Sequence, residues 1–283
     1  MALFPASGNT PVSTFIPEIW AAELMVPLQE ELVLASPVCV NNDYEGDIRA
    51  PGDQVHINSL NRPTVVTYSR NADVNAQLLD TDEMILAIDH GKAFAFAVDD
   101  VDRVQSASGS DLIYKATEES IQALRVAADS YVGSRMVAGA LTANKKTFTV
   151  GTDDVFDTLV DYGVILDNVD VPLRKRFAVV KPEIKAAMLK HDRFIASSYG
   201  SEIPIQNGVI GSLAGFTIAV TPHLPTDVEM IVGSPVATTW GQNLLSLESF
   251  RHPTKFAHVV RGLHVAGAKV TRPEALVIAS VAP

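Results

Sequence analysis

The chain has 283 residues, of which 47% are apolar and 19% are charged, and its formal net charge is −11. This composition excludes a disordered, collagen-like or low-complexity chain, and the length suggests one or two domains with a sizeable core. A free-standing nucleic-acid binder is usually basic or carries a basic stripe. Five glutamates precede the first basic residue, Arg49, so the sequence also excludes a basic N-terminal arm.

Cysteine content and hydropathy exclude further classes. Cys39 is the only cysteine, so the chain has neither an intrachain disulfide nor a cysteine-based zinc site. We expect Cys39 to be a small buried apolar residue rather than a nucleophile. No apolar run approaches the roughly 18–20 residues needed to span a bilayer, and no secretory signal is visible. The sequence therefore predicts a soluble protein of a reducing cytoplasm, with no membrane partner.

The first hundred residues predict extended structure. Residues 1–16 are broken by proline and glycine and predict an irregular arm, followed by a short helical stretch that includes Trp20. Strand patterns occur at 54–58, at 64–68, at 84–88 and at 93–98, and in the last of these phenylalanine and valine alternate with alanine. The polar stretch 69–82, between the second and third patterns, predicts a long hairpin that projects from the body of the protein.

A long helix follows and then an α/β pattern. Ser110 and Asp111 supply capping chemistry, and apolar residues at spacings of three and four predict a helix over about 110–138, roughly 40 Å long. From about 150, apolar strands alternate with helices, which predicts a covered central sheet. The sequence after about residue 254 predicts mainly β-strands. A helix of this length and a projecting hairpin favour an assembly protein over a compact enzyme.

Motifs for catalysis are weak. The sequence lacks GxxxxGK[ST], GxGxxG, HExxH and GxSxG. His252, His258 and His264 would share one strand face as a metal site, but we expect Pro253 and Gly262 to interrupt that strand. Two acidic clusters could serve a hydrolase, although aspartate is also ordinary in turns. The clusters are Asp80, Asp82, Glu83 and Asp99, Asp100, Asp102.

Four stretches, in this order and spacing, resemble the major capsid proteins of tailed phages. Residues 52–65 are similar to the extended-loop region of that family, and residues 87–102 to the strand that leads into its spine helix. Residues 208–225, with three glycines before Phe216, resemble a pattern of its axial domain. The fourth stretch is the C-terminal segment 250–270, which is similar at 250–253 and at 261–270, so the resemblance covers about residues 14–275.

The resemblance implies an α+β protein of the HK97-like capsid fold. It implies that the chain assembles with itself into hexamers and pentamers, which close an icosahedral shell around double-stranded DNA without sequence-specific binding. It implies no catalytic residue, cofactor or metal. The implied regions are an N-terminal arm (1–45), an extended β-hairpin loop (46–90), a peripheral domain with a long spine helix (91–149), an α/β axial domain (150–250) and a return to the peripheral domain (251–283).

Two departures from family patterns shape the expected partners. Some members join subunits covalently through a lysine of the extended loop, but here the only lysine between 43 and 104 is Lys92, on the predicted return strand. We therefore expect no such cross-link. Only about 45 residues precede the loop, so we expect a separate scaffolding protein or none. A portal and a decoration protein are further expected partners, and assembly is expected in the cytoplasm of a host bacterium.

Candidate intersubunit residues follow from the charges of the loop and of the basic C-terminal segment. Exposed ion pairs contribute only about 0–1 kcal/mol each, but a shell repeats them many times. An equally simple interpretation is that these charges are solvated. The candidates are Arg49, Arg62, Arg70, Asp73, Trp20, Arg251 and Arg261.

Two alternatives remain open from the sequence. An encapsulin, the shell of a bacterial nanocompartment, has the same fold and would enclose cargo enzymes instead of a genome. A cytoplasmic oligomeric hydrolase would use the cluster of Asp99, Asp100 and Asp102.

Overall fold

A computed structural model describes residues 32–43, 54–60, 65, 67, 70, 78, 81–100, 111–190 and 209–281. Three helices and eleven strands lie in these ranges. The helices are α1 (Asp111–Gly139), α2 (Val155–Asp167) and α3 (Pro182–Lys190). The strands are β1 (Gln54–Leu60), β2 (Thr81–Ala87), β3 (His90–Asp99), β4 (Lys145–Thr147), β5 (Phe177–Val180), β6 (Val209–Leu213), β7 (Phe216–Val220), β8 (Val228–Gly233), β9 (Thr238–Arg251), β10 (Ala257–Val270) and β11 (Leu276–Ser280).

The predicted hairpin begins with an antiparallel two-stranded ribbon. Strands β1 and β2 pair over their full length, with Gln54 opposite Ala87 and Leu60 opposite Thr81. The predicted strand at 64–68 is not present at the two described positions within it, Val65 and Thr67. Val65 is 95% exposed, so β-branched residues there have no surface to pack against, and strand preference depends on such packing.

A three-stranded antiparallel sheet carries the long helix. Its order is β3-β10-β9. On β3 the predicted alternation is present, because Phe94 and Phe96 are half-buried while the intervening alanines are exposed. The 14-residue strand β9 was not predicted, because Gly241, Asn243 and its serines obscure the apolar pattern. Pairing with β10 over its whole length forms this strand.

The predicted covered sheet is present as six strands in the order β4-β11-β8-β5-β7-β6. Strands β5 and β8 are buried at every position, as expected from their continuous apolar sequences. Helix α2 begins where expected, since the Asp154 carboxylate accepts a hydrogen bond from the backbone N–H of Phe156 at 2.9 Å. The sheet is mixed, because β5 pairs parallel with β7 and antiparallel with β8.

Three chain connections join the two larger sheets and pack tightly. Backbone N–H groups of Thr271 and Ser234 donate to the carbonyls of Ala237 (2.8 Å) and Ala275 (3.3 Å). At the end of α1, a Cβ atom at Gly139 would lie 2.5 Å from the side chain of Val270, so only glycine fits there. The predicted boundary at residue 250 does not coincide with a boundary between sheets. Strand β9 pairs with β10 in the three-stranded sheet, and β11 then joins the six-stranded sheet. The predicted division into five regions stays a prediction.

One main core runs from α1 through the six-stranded sheet. It includes Trp240 and Cys39, both fully buried, and the burial of Cys39 confirms its predicted role as a small core residue. Burial also raises the pKa of the Cys39 thiol far above its usual value, with Asp129 as a second cause, and this leaves a poor nucleophile. No helix in the described ranges is long and apolar enough to cross a membrane.

Candidate assembly surfaces

The base of the hairpin, here called the hairpin root and formed by β1, β2 and Ile88, packs on one face of β10. Val55, Ile57, Leu86 and Ile88 form a small buried cluster with Val265. Two residues further along the same face, a Cβ atom at Gly267 would lie 2.4 Å from the carbonyl oxygen of Ala87. The glycine therefore lets the backbone of the hairpin lie directly against the sheet.

A polar cluster, here called the root clamp, ties the end of the hairpin to α1. Asp89 accepts hydrogen bonds from the Tyr131 hydroxyl and the Arg135 guanidinium. Arg135 lies 5.1 Å from the centroid of the Tyr131 ring, and His90 stacks on that ring at 4.3 Å. Burial favours the neutral acid, but the Tyr131 hydrogen bond and the charge of Arg135 outweigh it and hold the pKa of Asp89 below its usual value. The hairpin is thus fixed to the helix by a charged group.

Two histidines lie beneath the root clamp. His264 is 1% exposed, and its Nε2 lies 3.2 Å from the Oε1 of Gln242. Burial lowers the pKa of His264 to about 4, with His90 as a minor cause. Burial and then Lys92 lower the pKa of His90. Both rings are therefore neutral near pH 7.

A buried carboxylate on α1 anchors the segment that leads out of the N-terminal arm. Asp129 is 1% exposed and accepts the backbone N–H groups of Val33 (3.2 Å), Leu34 (3.1 Å) and Ala35 (3.1 Å). Burial raises its pKa, although the three hydrogen bonds oppose that shift. Sequence analysis missed this contact. The available signal was an aspartate next to Ala128 and Val132, on the apolar stripe of the predicted helix, where a charge needs a buried partner.

The anchored segment also extends the three-stranded sheet. Asn41 forms a parallel bridge to Thr239, donating its N–H to the carbonyl of Thr238 and accepting from Trp240, both at 2.9 Å. The arm is thus joined to the helix at Asp129 and to the sheet at β9.

The C-terminal candidates for intersubunit contacts pair within the chain. Arg251 lies 2.8 Å from Asp100. Arg261 lies 2.5 Å from Glu248 and stacks over Phe250 at 5.1 Å. Both arginine side chains remain more than half exposed.

Of the remaining candidates, the structure describes only Arg70. Arg70 is exposed. Lys92 is exposed on β3, the predicted return strand. Four candidates fall outside the described residues, namely Trp20, Arg49, Arg62 and Asp73.

The structure describes the three histidines of the alternative metal site and part of the acidic cluster of the alternative hydrolase. Asp100 is engaged by Arg251, and Asp102 lies outside the described ranges. The expectation that Gly262 interrupts its strand was wrong, since β10 runs continuously from Ala257 to Val270 because Phe94 packs over the glycine. His264 is nevertheless buried. Within the described part of the chain, no three or more His, Cys, Asp or Glu side chains lie together as a metal site would require.

Comparison with solved structures identifies the fold. A chain of Mycobacterium phage Che8 has a TM-score of 0.69 at 27% identity, covering 87% of this chain and 90% of that one. The capsid of Ralstonia phage GP4 has a TM-score of 0.66 at 11% identity, covering 90% of each chain. The capsid of cyanophage P-SCSP1u has a TM-score of 0.65 at 15% identity, covering 83% of this chain and 85% of that one. No curated protein matches.

These likenesses show the HK97-like fold that the sequence resemblance implied. A family model described as phage capsid protein matches residues 80–279. The chain belongs to this family and is a major capsid protein, a structural protein of the virion.

Proposed function

We propose that this major capsid protein forms hexamers and pentamers of an icosahedral shell that encloses double-stranded DNA. The observation that carries the assembly proposal is a pair of apolar side chains on the hairpin, Val65 and Leu78, which are 95% and 98% exposed. Apolar side chains exposed this fully leave their whole apolar area in water, and a neighbouring subunit that covered them would remove that area from water.

A face suited to receive the hairpin lies on the three-stranded sheet. The chain's own hairpin covers the part of β10 around Val265 and Gly267. The same face continues to Val259, which pairs with Ala97 and Phe250. Ala97 is exposed and Phe250 is 38% exposed, and Arg261 lies on this face as well. A neighbour's hairpin laid there would bury its apolar residues against small side chains, with Arg261 at the contact.

Mutation of the hairpin tests this assembly. The purified chain is examined by negative-stain electron microscopy and light scattering, alone and with its scaffolding protein. Closed shells or capsomer rings are expected from the unchanged chain. Val65→Asp with Leu78→Asp should abolish them while leaving the thermal unfolding midpoint unchanged, because both side chains are exposed. Thr67→Asp, at an exposed polar position between them, is the matched control and should assemble. Normal shells from the double variant would contradict the proposal.

DNA enclosure is proposed on the charge of the chain. A net charge of −11 gives little sequence-independent attraction to phosphate, so DNA can be packaged and ejected without being held by the coat. Particles from producing cells should contain nuclease-protected DNA, and purified capsomers should not shift a DNA fragment at physiological salt. Particles with protein cargo and no DNA would instead support the encapsulin alternative.

We also propose a portal, a separate scaffolding protein and a decoration protein as partners, with assembly in the cytoplasm of the host bacterium. Co-purification of shells with these proteins from producing cells tests this part. We further propose that the chain has no enzymatic activity and that its subunits are not joined through Lys92. Denaturing gels of mature particles should then show the coat protein only at the mass of one chain.

A further inference from the structure

The loop between α2 and β5, residues 168–175, presents an apolar side chain to solvent. Leu173 is 72% exposed and lies between exposed Pro172 and exposed Arg174. Asp170 and Lys175 have φ angles of 56° and 62°, in the left-handed region that residues other than glycine rarely adopt. Backbone in this region persists only where surrounding contacts impose it, and it is concentrated at functional surfaces. We call residues 172–175 the knob.

The buried side chain of Arg176 fixes the loop from inside. It is 4% exposed, and its Nε donates to the carbonyl of Pro172 at 3.1 Å. Its Nη2 donates to the carbonyl of Val171 at 2.6 Å and to the Asp167 carboxylate at 2.7 Å. One guanidinium thus joins the middle of the loop to the last residue of α2. The start of the knob, at Pro172, is therefore fixed to the body of the subunit.

Helix α2 carries a second apolar stripe on its outer side. Its buried side faces the core, whereas Val160 and Val164, one turn apart, are 43% and 53% exposed. Asp157 and Asp161 lie three or four residues from these valines and on the same side of the helix. The outer side of a surface helix is normally polar. We call these four residues the α2 face.

The two surfaces are opposite in charge, and both expose apolar side chains. The knob carries one exposed leucine with two adjacent cations, Arg174 and Lys175. The α2 face carries two exposed valines flanked by two carboxylates, and the sequence of α2 contains no lysine or arginine. Because the chain is acidic overall, a second copy of it supplies the negative surface that a basic knob requires.

We propose that the knob of one subunit packs on the α2 face of a neighbouring copy, with Leu173 between Val160 and Val164 and with Arg174 and Lys175 facing the two aspartates. This inference rests on the proposed function, since it names a contact within the shell. A contact between different surfaces of identical subunits closes into a ring when the rotation permits, as hexamers and pentamers require.

A charge swap tests the contact. Arg174→Glu and Asp161→Lys are made singly and together in the full chain, and shell yield is measured by light scattering and negative-stain electron microscopy. Each single variant should lower the yield by about tenfold, because like charges then face each other, and the double variant should restore most of it. Lys145→Glu makes the same change of charge at an exposed position on β4 and is the matched control. Circular dichroism melting verifies that each variant folds.

A cysteine pair gives an independent measurement. Leu173→Cys combined with Val164→Cys should give disulfide-linked multimers from oxidised shells on non-reducing gels, while Cys39 is buried and unreactive. If the unchanged chain assembles and Arg174→Glu assembles as well as Lys145→Glu, the contact is overturned while the proposed function stands. A chain that assembles under no condition, with scaffolding protein included, would overturn both.

Discussion

The carboxylate of Asp129, in the middle of the spine helix, accepts the backbone N–H of Leu34 across 95 residues of sequence at 3.1 Å. The N–H groups of Val33 and Ala35 complete the contact. Three donors around one buried acceptor form an anion-binding turn in which the ligand is the protein's own side chain. The arm is therefore attached to the helix that forms the centre of the subunit.

Loss of this carboxylate should destabilise the fold. Asp129→Ala leaves three N–H groups near or in the core without their acceptor, and we expect the free energy of unfolding to fall by about 3 kcal/mol. Urea denaturation followed by circular dichroism measures it. Ser130→Ala, at the exposed neighbouring position, should change it by less than about 0.5 kcal/mol. Equal losses for the two variants would show that Asp129 does not hold the arm.

The root clamp should control opening of the hairpin more than global stability. The Asp89 and Arg135 side chains are 46% and 43% exposed, so solvent screens their attraction and we expect a coupling of about 1 kcal/mol or less. Hydrogen exchange of residues 81–89 in Asp89→Asn, Arg135→Gln and the double variant gives the coupling through a double-mutant cycle. Exchange of β5 should not change. Strictly additive effects would show that the two side chains act separately.

Stability should fall on acidification because of His264. Its pKa is lowered to about 4 in the folded protein, from 6.5 in an unfolded chain, so the unfolded state binds the proton first. Above pH 6.5 His264 is neutral in both the folded and the unfolded protein, so its titration does not reduce the free energy of unfolding there. Stability is then lost as the pH falls from about 6.5 to 4, by about 3 kcal/mol in all, and levels off below pH 4. His90, whose pKa is also lowered, adds in the same direction.

Denaturation midpoints between pH 4 and pH 7.5 test this dependence. His264→Gln should flatten the profile over that range. His258→Gln, at a half-buried position on the same strand, should keep the slope, because His264 is still present. An unchanged profile in His264→Gln would assign the acid sensitivity to other groups.

Gly267 should tolerate no side chain. In Gly267→Ala the new Cβ would lie 2.4 Å from the Ala87 carbonyl oxygen, so the hairpin root must shift, at a cost of about 1–3 kcal/mol. Thermal unfolding and shell yield should both decline. Gly91→Ala is the matched control, since nothing lies within 4 Å of its Cβ position. A Gly267→Ala protein as stable as this control would show that the root does not lie close against β10.

The spacing of apolar residues along the sequence was enough to predict the long helix and the buried strands of the six-stranded sheet. The helix predicted at 110–138 is present at 111–139, and the apolar strands around Val179 and Ile231 are buried as expected. Helix capping and apolar period depend on residues within one or two turns of each other, and the sequence displays these directly. The order of four such stretches also carried the resemblance to phage capsid proteins, which the family match confirms.

Contacts between distant segments were decided by the tertiary structure. The polar strand β9 forms because β10 supplies its hydrogen bonds, and the role of Asp129 depends on a turn 95 residues away. Arg251 and Arg261, candidates for contacts with other subunits, each have an ion-pair partner in their own chain and stay more than half exposed. Charge in a sequence shows that a partner is needed, but only the fold determines which group lies within hydrogen-bonding distance.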